Sequence, residues 1–194
     1  MKPSLIPAEQ ASRFYRHWLN ADREKRESEI QSLIHSPLNR LDLPALLQHE
    51  TGNGYSLPRA MRRIRNLLIC AIIERDLSGK ADLSEVVETM TLFAEFAIRT
   101  HLDSLYEELT ETHGTPVGAH SGKKQKMIVL GMGKLGGREL NVSSDIDLIF
   151  VYPENGETVA TRSGQRTLSN QEFFTRLGKR FIKALSEIAE DGFT

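Results

Sequence analysis

Two aspartates one residue apart, Asp145 and Asp147, open the run DIDLIFVY at residues 145–152. Side chains on a strand alternate, so these carboxylates share one face while Ile146, Leu148 and Phe150 share the other. About 6–7 Å apart along a strand, they repel unless a cation or donors sit between them. Magnesium takes such oxygen ligands and completes its shell with water and phosphate oxygens. A solvated edge strand would tolerate the same pair with no metal. The run Leu148-Ile149-Phe150-Val151 speaks against an edge, because it reads as buried on both faces. The expectation is that both acids lie on one face of a central strand.

A glycine-rich segment lies just upstream. Met127 to Leu130 is a short apolar run of the buried-strand kind, and Gly131-Met132-Gly133-Lys134-Leu135-Gly136 follows it. A short helix after such a turn offers free backbone N–H groups to phosphate. Gly133, Gly136 and Gly137 allow the backbone to approach closely, and Lys134 adds a cation. The competing reading is a tight strand-to-helix turn that binds nothing. The string also satisfies G-x-G-x-x-G, the dinucleotide fingerprint. That fingerprint needs a full helix after the glycines and then a strand that ends on its acid. Here Asn141-Val142-Ser143-Ser144 interrupts the helix after about one turn, and the acids begin the strand. A glycine turn, a short helix and Asp-x-Asp at a strand start together point to metal-assisted chemistry on a nucleotide phosphate.

The elements that position this segment read as mostly helical. Ser12 to about Asn20 carries Phe14, Trp18 and Leu19. Pro37, Pro44 and Thr51 to Gly54 break the next region into short pieces. A stronger helix starts near Pro58, with Met61, Ile64, Leu68 and Ile72 at helical spacing. Arg59, Arg62, Arg63 and Arg65 read as its solvated face, and Ser78-Gly79-Lys80 ends it. Asp82 to Glu85 has capping-box spacing and begins a helix running to about Leu109. Residues 113–126 read as a linker or exposed loop. Ser169 to Glu172 is a second capping box, opening a helix whose apolar face carries Phe173, Phe174, Leu177, Phe181, Ile182, Leu185 and Ile188. The fold class is therefore α+β: a helical region over 1–112, a linker over 113–126, and an αβ core over 127–194.

Composition narrows the remaining choices. The 25 basic residues nearly balance the 26 acidic ones, so nothing marks a nucleic-acid or membrane surface. No apolar run approaches bilayer length, and there is no signal-peptide segment. The single cysteine, Cys70, lies in LLICAII, which excludes a disulfide framework and suits a core residue in a reducing cytosol. His101 and His113 have no partner at metal-ligand spacing and read as surface or core histidines.

Residues 131–150, GMGKLGGRELNVSSDIDLIF, closely resemble the glutamine synthetase adenylyltransferase family, a branch of the polymerase-beta-like nucleotidyltransferases. The superfamily signature is a Gly-Ser pair, about ten residues, then Asp-x-Asp. Gly133-Lys134 occupies the pair, with Lys134 in the serine place as in the family's G-K-L-G-G pattern. The resemblance extends to the arginine-rich helix over 59–75, residues 76–83 and SNQEFFTRLG at 169–178. It implies a bifunctional enzyme that attaches AMP from ATP to a tyrosine of glutamine synthetase and removes it by phosphorolysis, giving ADP. It further implies a cytoplasmic setting, Mg2+ held by Asp145 and Asp147, phosphates bordered by Gly133, Lys134, Gly136, Gly137 and Ser144, and the PII signalling protein as a partner. The motif reads LNVSSDIDL behind a helical segment starting at Met1, which matches the N-terminal, deadenylylating copy. The family's third metal-binding aspartate follows a D-G-x-x-Y-R-V-D stretch. This sequence stops at Asp191-Gly192-Phe193-Thr194, so the expectation is an N-terminal fragment with an incomplete nucleotidyltransferase core. Two rivals are a catalytically inactive nucleotide-sensing or docking fragment and a generic nucleotidyltransferase acting on another substrate.

Overall fold

A computed structural model describes residues 7–186. The chain opens with α1 (Ala8–Ala11) and α2 (Arg13–Asn20), where the Ser12 hydroxyl caps α2 by accepting from Tyr15 N–H at 3.2 Å. Then come α3 (Arg23–Leu33), a 3-10 turn (Leu38–Arg40) and α4 (Leu43–Gly52). The long helices α5 (Leu57–Leu77) and α6 (Leu83–His113) follow, with a proline in the first turn of α5. The remainder is β1 (Thr115–Gly118), β2 (Ile128–Met132), α7 (Gly133–Gly136), β3 (Asp147–Val151), β4 (Gly156–Val159) and α8 (Asn170–Ser186). β1 pairs with β4 and β2 with β3, both antiparallel. The chain is thus α+β and mostly helical, and no described helix is long and apolar enough to cross a membrane.

Capping and periodicity account for the helices that frame the sheets. Asp82 accepts from Glu85 N–H at 2.8 Å, but the Glu85 carboxylate turns away to Arg75 and to Leu38 N–H, so the box closes on one side only. In α5, Met61, Ile64, Leu68 and Ile72 are all buried, as their spacing requires. The arginines between them depart from expectation, because Arg62 and Arg63 are buried and Arg65 is half-buried. α5 packs against α3 and α4 as well as α6, which leaves little of its surface to water. Arg63 is satisfied by carboxylates: its Nε donates to Glu50 at 2.6 Å, its Nη2 to Glu29 at 3.3 Å, and it lies over the Tyr55 ring.

His101, on α6, is a core histidine, and burial aided by nearby Arg62 pushes its pKa down to about 4. The unfolded chain therefore binds a proton that the folded chain refuses. The folded state is fully stable in this respect above about pH 6.5 and loses stability as pH falls from there toward 4. We expect an acid-side loss of a few kcal/mol. Urea titrations at pH 7 and 5 should show it, and His101→Phe should reduce it. An unchanged pH slope in the variant would count against the assignment.

Three boundaries and exposures differ from the sequence reading. α6 runs to His113, because its last turn is held by Gln165, which donates to the Thr110 and Glu111 carbonyls. Residues 113–126 are only partly a loop: Thr115–Gly118 is β1, and Gly118 ends opposite Gly156. Backbone pairing, not composition, decides this segment. Finally, β2 and β3 are buried on one face only. Val129, Phe150 and Tyr152 pack on α6 and α8, while Ile128, Leu130, Met132, Ile149 and Val151 are 40–46 % exposed. No described element covers that second face, and β2 is the only strand paired with β3 among the described residues, so β3 is not central here. Along α8, Phe173, Phe174, Leu177 and Phe181 are buried but Ile182 is 53 % exposed. Ile188 lies outside the described residues.

Candidate active site

The β2–β3 register brings the two halves of the motif together. Met132 pairs with Asp147, so the last residue before the glycine turn faces the second acid. Gly133 has φ +53, a left-handed conformation that disfavours side chains, and a Cβ there would lie 3.5 Å from Asp147 Oδ2. Gly136 is required for a different reason: a Cβ would meet the Gly131 carbonyl oxygen at 2.5 Å. The chain therefore places the Asp147 carboxylate directly over the turn.

Asp145 sits two residues before Asp147, just ahead of β3, and both acids are exposed while Ile146 and Leu148 turn inward against the core. Leu135 and Leu140 are buried and anchor the turn and the following loop. Within that loop the Ser144 hydroxyl donates to Asn141 Oδ1 at 2.9 Å and accepts from Asn141 N–H at 3.2 Å. Ser143 N–H also donates to Asn141 Oδ1 at 3.0 Å. Lys134 Nζ reaches Ser144 Oγ at 3.4 Å. The structure thus groups Gly133 with Asp147, and Lys134 with Ser144. Gly137 caps α7 by donating to the Gly133 carbonyl at 3.0 Å.

Two positioning residues escape sequence reasoning. Asn141 organises the Ser143–Ser144 turn, and its signal was present as an Asn two residues before a serine pair. Arg138 adopts φ +57 and donates to Glu95 on α6 at 2.8 Å, tying the end of the glycine turn to the helical layer. A contact between residues so far apart in sequence has no local signature.

The geometry also limits the chemistry. α7 has four residues, so its dipole is small, and phosphate contacts here would come from individual N–H groups. Among the described residues β2 and β3 run antiparallel, unlike the parallel strand pair of a dinucleotide-binding element. Among the described residues no three His, Cys, Asp or Glu side chains gather as a metal cage. Two exposed carboxylates beside a hydroxyl fit a magnesium ion that keeps several waters and shares phosphate oxygens, and do not fit a closed all-protein site. His113 is no candidate ligand either: its ring nitrogens contact the Arg166 carbonyl and Arg176.

A mostly helical α+β chain in which a glycine turn meets an Asp-x-Asp segment at a strand start has the arrangement that the resemblance to nucleotidyltransferases implies. Residues 8–194 match the family described as glutamate-ammonia ligase adenylyltransferase, and the chain belongs to that family. It is 56 % identical over 138 residues to the bifunctional glutamine synthetase adenylyltransferase/adenylyl-removing enzyme of Ralstonia nicotianae, covering 71 % of this chain and 14 % of that protein. The protein of the same description from Aromatoleum aromaticum is 43 % identical over 189 residues, covering 97 % of this chain and 20 % of its own length. A Neisseria meningitidis relative so described is 48 % identical over 140 residues, 72 % of this chain and 15 % of its own. The chain therefore spans a fifth or less of the length of these curated relatives.

Proposed function

We propose that this chain supplies the adenylyl-removing site of a bifunctional enzyme acting on glutamine synthetase. The observation that carries the reading is the Asp147 carboxylate held over the Gly133 turn, with Lys134 and Ser144 in contact beside it. The Leu140–Leu148 string, which resembles the deadenylylating copy of the family, supports this half over the AMP-attaching one. In the reaction, an oxygen of inorganic phosphate attacks the adenylyl phosphorus, the bond to the tyrosine oxygen breaks, and ADP and a reprotonated tyrosine leave. Bound magnesium would neutralise charge on the phosphoryl oxygens. Asp145 and Asp147 would hold that ion, and Lys134 with free backbone N–H groups at the start of the glycine turn would orient the phosphates. The proposed partners are glutamine synthetase, ATP or ADP with phosphate, and the PII signalling protein as regulator, in the cytoplasm.

The test uses adenylylated glutamine synthetase, magnesium and phosphate, with ADP release as the readout. The chain matches a fifth or less of its curated relatives, so we expect little release from these 194 residues alone and a sharp rise when they are joined to the segment that follows the match in such a relative, because in-line displacement is intolerant of loosely held groups. AMP attachment without removal by the longer chain would reverse the choice of half. Full release by the 194-residue chain would show that these residues alone suffice for the reaction. The rival docking reading predicts binding to glutamine synthetase with no turnover in either chain.

A further inference from the structure

Behind β3, on the face away from Gly133, lies a cavity of about 440 Å3 between α5, α6 and α8. Phe93, Phe150 and Phe181 supply aromatic walls, and Arg65, Ser144 and Asp145 supply polar groups. That volume is in the range of small-molecule sites, and the balance of apolar wall to a few polar groups is theirs too. The arginine is the unusual member. On the same helix, Arg63 and Arg75 are each met by buried carboxylates. Arg65 has no hydrogen-bond or ion-pair partner among the described residues, and burial alone lowers its hold on its proton. One turn before it, Arg62 is 5 % exposed and its Nε and Nη1 are likewise without partners. Removing guanidinium from water without an anion is costly, and the chain offsets this for Arg63 and Arg75 but not here.

We propose that this cavity binds a small monocarboxylate with an apolar body, its carboxylate on Arg65 and its body against Phe93, Phe150 and Phe181. The guanidinium fork matches a carboxylate's two oxygens. Asp145 also lines the cavity and, with no metal on it, repels a second negative charge, which favours a monoanion over a phosphate dianion. A ligand here packs against the inner side chains of the strand whose outer face carries Asp147. The cavity shares Ser144 and Asp145 with the proposed adenylyl-transfer site, but the groups that hold its ligand, Arg65 and the three phenylalanines, take no part in that reading.

The probe is 3-phenylpropionate, titrated calorimetrically into the purified chain in EDTA so that no metal contributes. Saturable 1:1 binding is expected. The neutral 3-phenylpropanol should bind at least about tenfold more weakly, as should the acid to Arg65→Gln. Arg65→Lys should retain part of the affinity. Arg65 has no ion pair to lose, so Arg65→Gln should keep the wild-type urea midpoint, which separates lost binding from lost fold. Absence of saturable binding, equal affinity for the alcohol, or undiminished binding to Arg65→Gln would each overturn the proposal. Tighter binding of phenyl phosphate would overturn the monoanion assignment.

Discussion

Asp147→Asn is expected to reduce phosphate-dependent ADP release by at least about a hundredfold in the chain joined to the segment that follows the match in a curated relative. The substitution keeps the size of the side chain and removes the charge. Its carboxylate is the acid placed over the Gly133 turn, so magnesium would lose both a ligand and electrostatic attraction at once. Asp145→Asn should act in the same direction. Both side chains are exposed, so the urea midpoints of the variants should match the parent, and activity can be read without correction for unfolding. Raising magnesium concentration should recover part of the loss if weakened metal binding is its cause. An extended chain that is active and indifferent to both substitutions would remove the pair from the mechanism.

Glu85→Ala is expected to cost about 3–5 kcal/mol of stability, because it strands a buried guanidinium. Arg75 donates to both Glu85 oxygens, at 2.7 and 2.9 Å, and also to the Ile34 and Lys80 carbonyls. Glu85 in turn accepts from Leu38 N–H at 3.0 Å. One carboxylate therefore holds together the end of α5, the start of α6 and the 3-10 turn. Burial pushes the Glu85 pKa up, but the Arg75 hydrogen bonds and the Leu38 N–H prevail and hold it below the ordinary carboxylate range. Because the folded value is the lower one, this stabilisation is complete above the unfolded pKa and is lost as pH falls through the folded value. Urea denaturation of Glu85→Ala at pH 7 should show the full deficit, and the gap from the parent should narrow in acid. A deficit under about 1 kcal/mol at pH 7 would mean that the pair behaves as an exposed one.

The sequence was most informative where local rules decide. Ser12, Asp82 and Ser169 mark helix starts through their own hydroxyl or carboxylate, and the structure uses each of them. The apolar spacing of α5 and the shortness of α7 were equally readable. Tertiary surroundings explain the failures. Arg62 and Arg63 look like a solvated face until α3 and α4 are placed around α5. Arg23–Leu33 carries no apolar residue beyond Ile30 and Leu33, so nothing in its periodicity announces α3. Thr115–Gly118 has the composition of a loop and becomes a strand because β4 arrives beside it. In the site, the glycines, Lys134, Ser144 and both acids were legible as types and spacings. Asn141 was partly so. The Arg138–Glu95 tie was not, since only the packed chain brings α6 to the turn.

The length of α6 bears on the order in which the molecule assembles. Its 31 residues make a rod of about 46 Å, with helix α5 packed along its first half and α8 along its second. α5 and α6 are neighbours in sequence and can dock after closing only the short 78–82 loop, whereas pairing Thr115 with Val159 must close a much longer one. Local closure is the cheaper first step, so the helical hairpin offers a nucleus on which the strands later condense. Substitutions at the α5–α6 seam should then slow folding, while those in β1 and β4 should chiefly hasten unfolding.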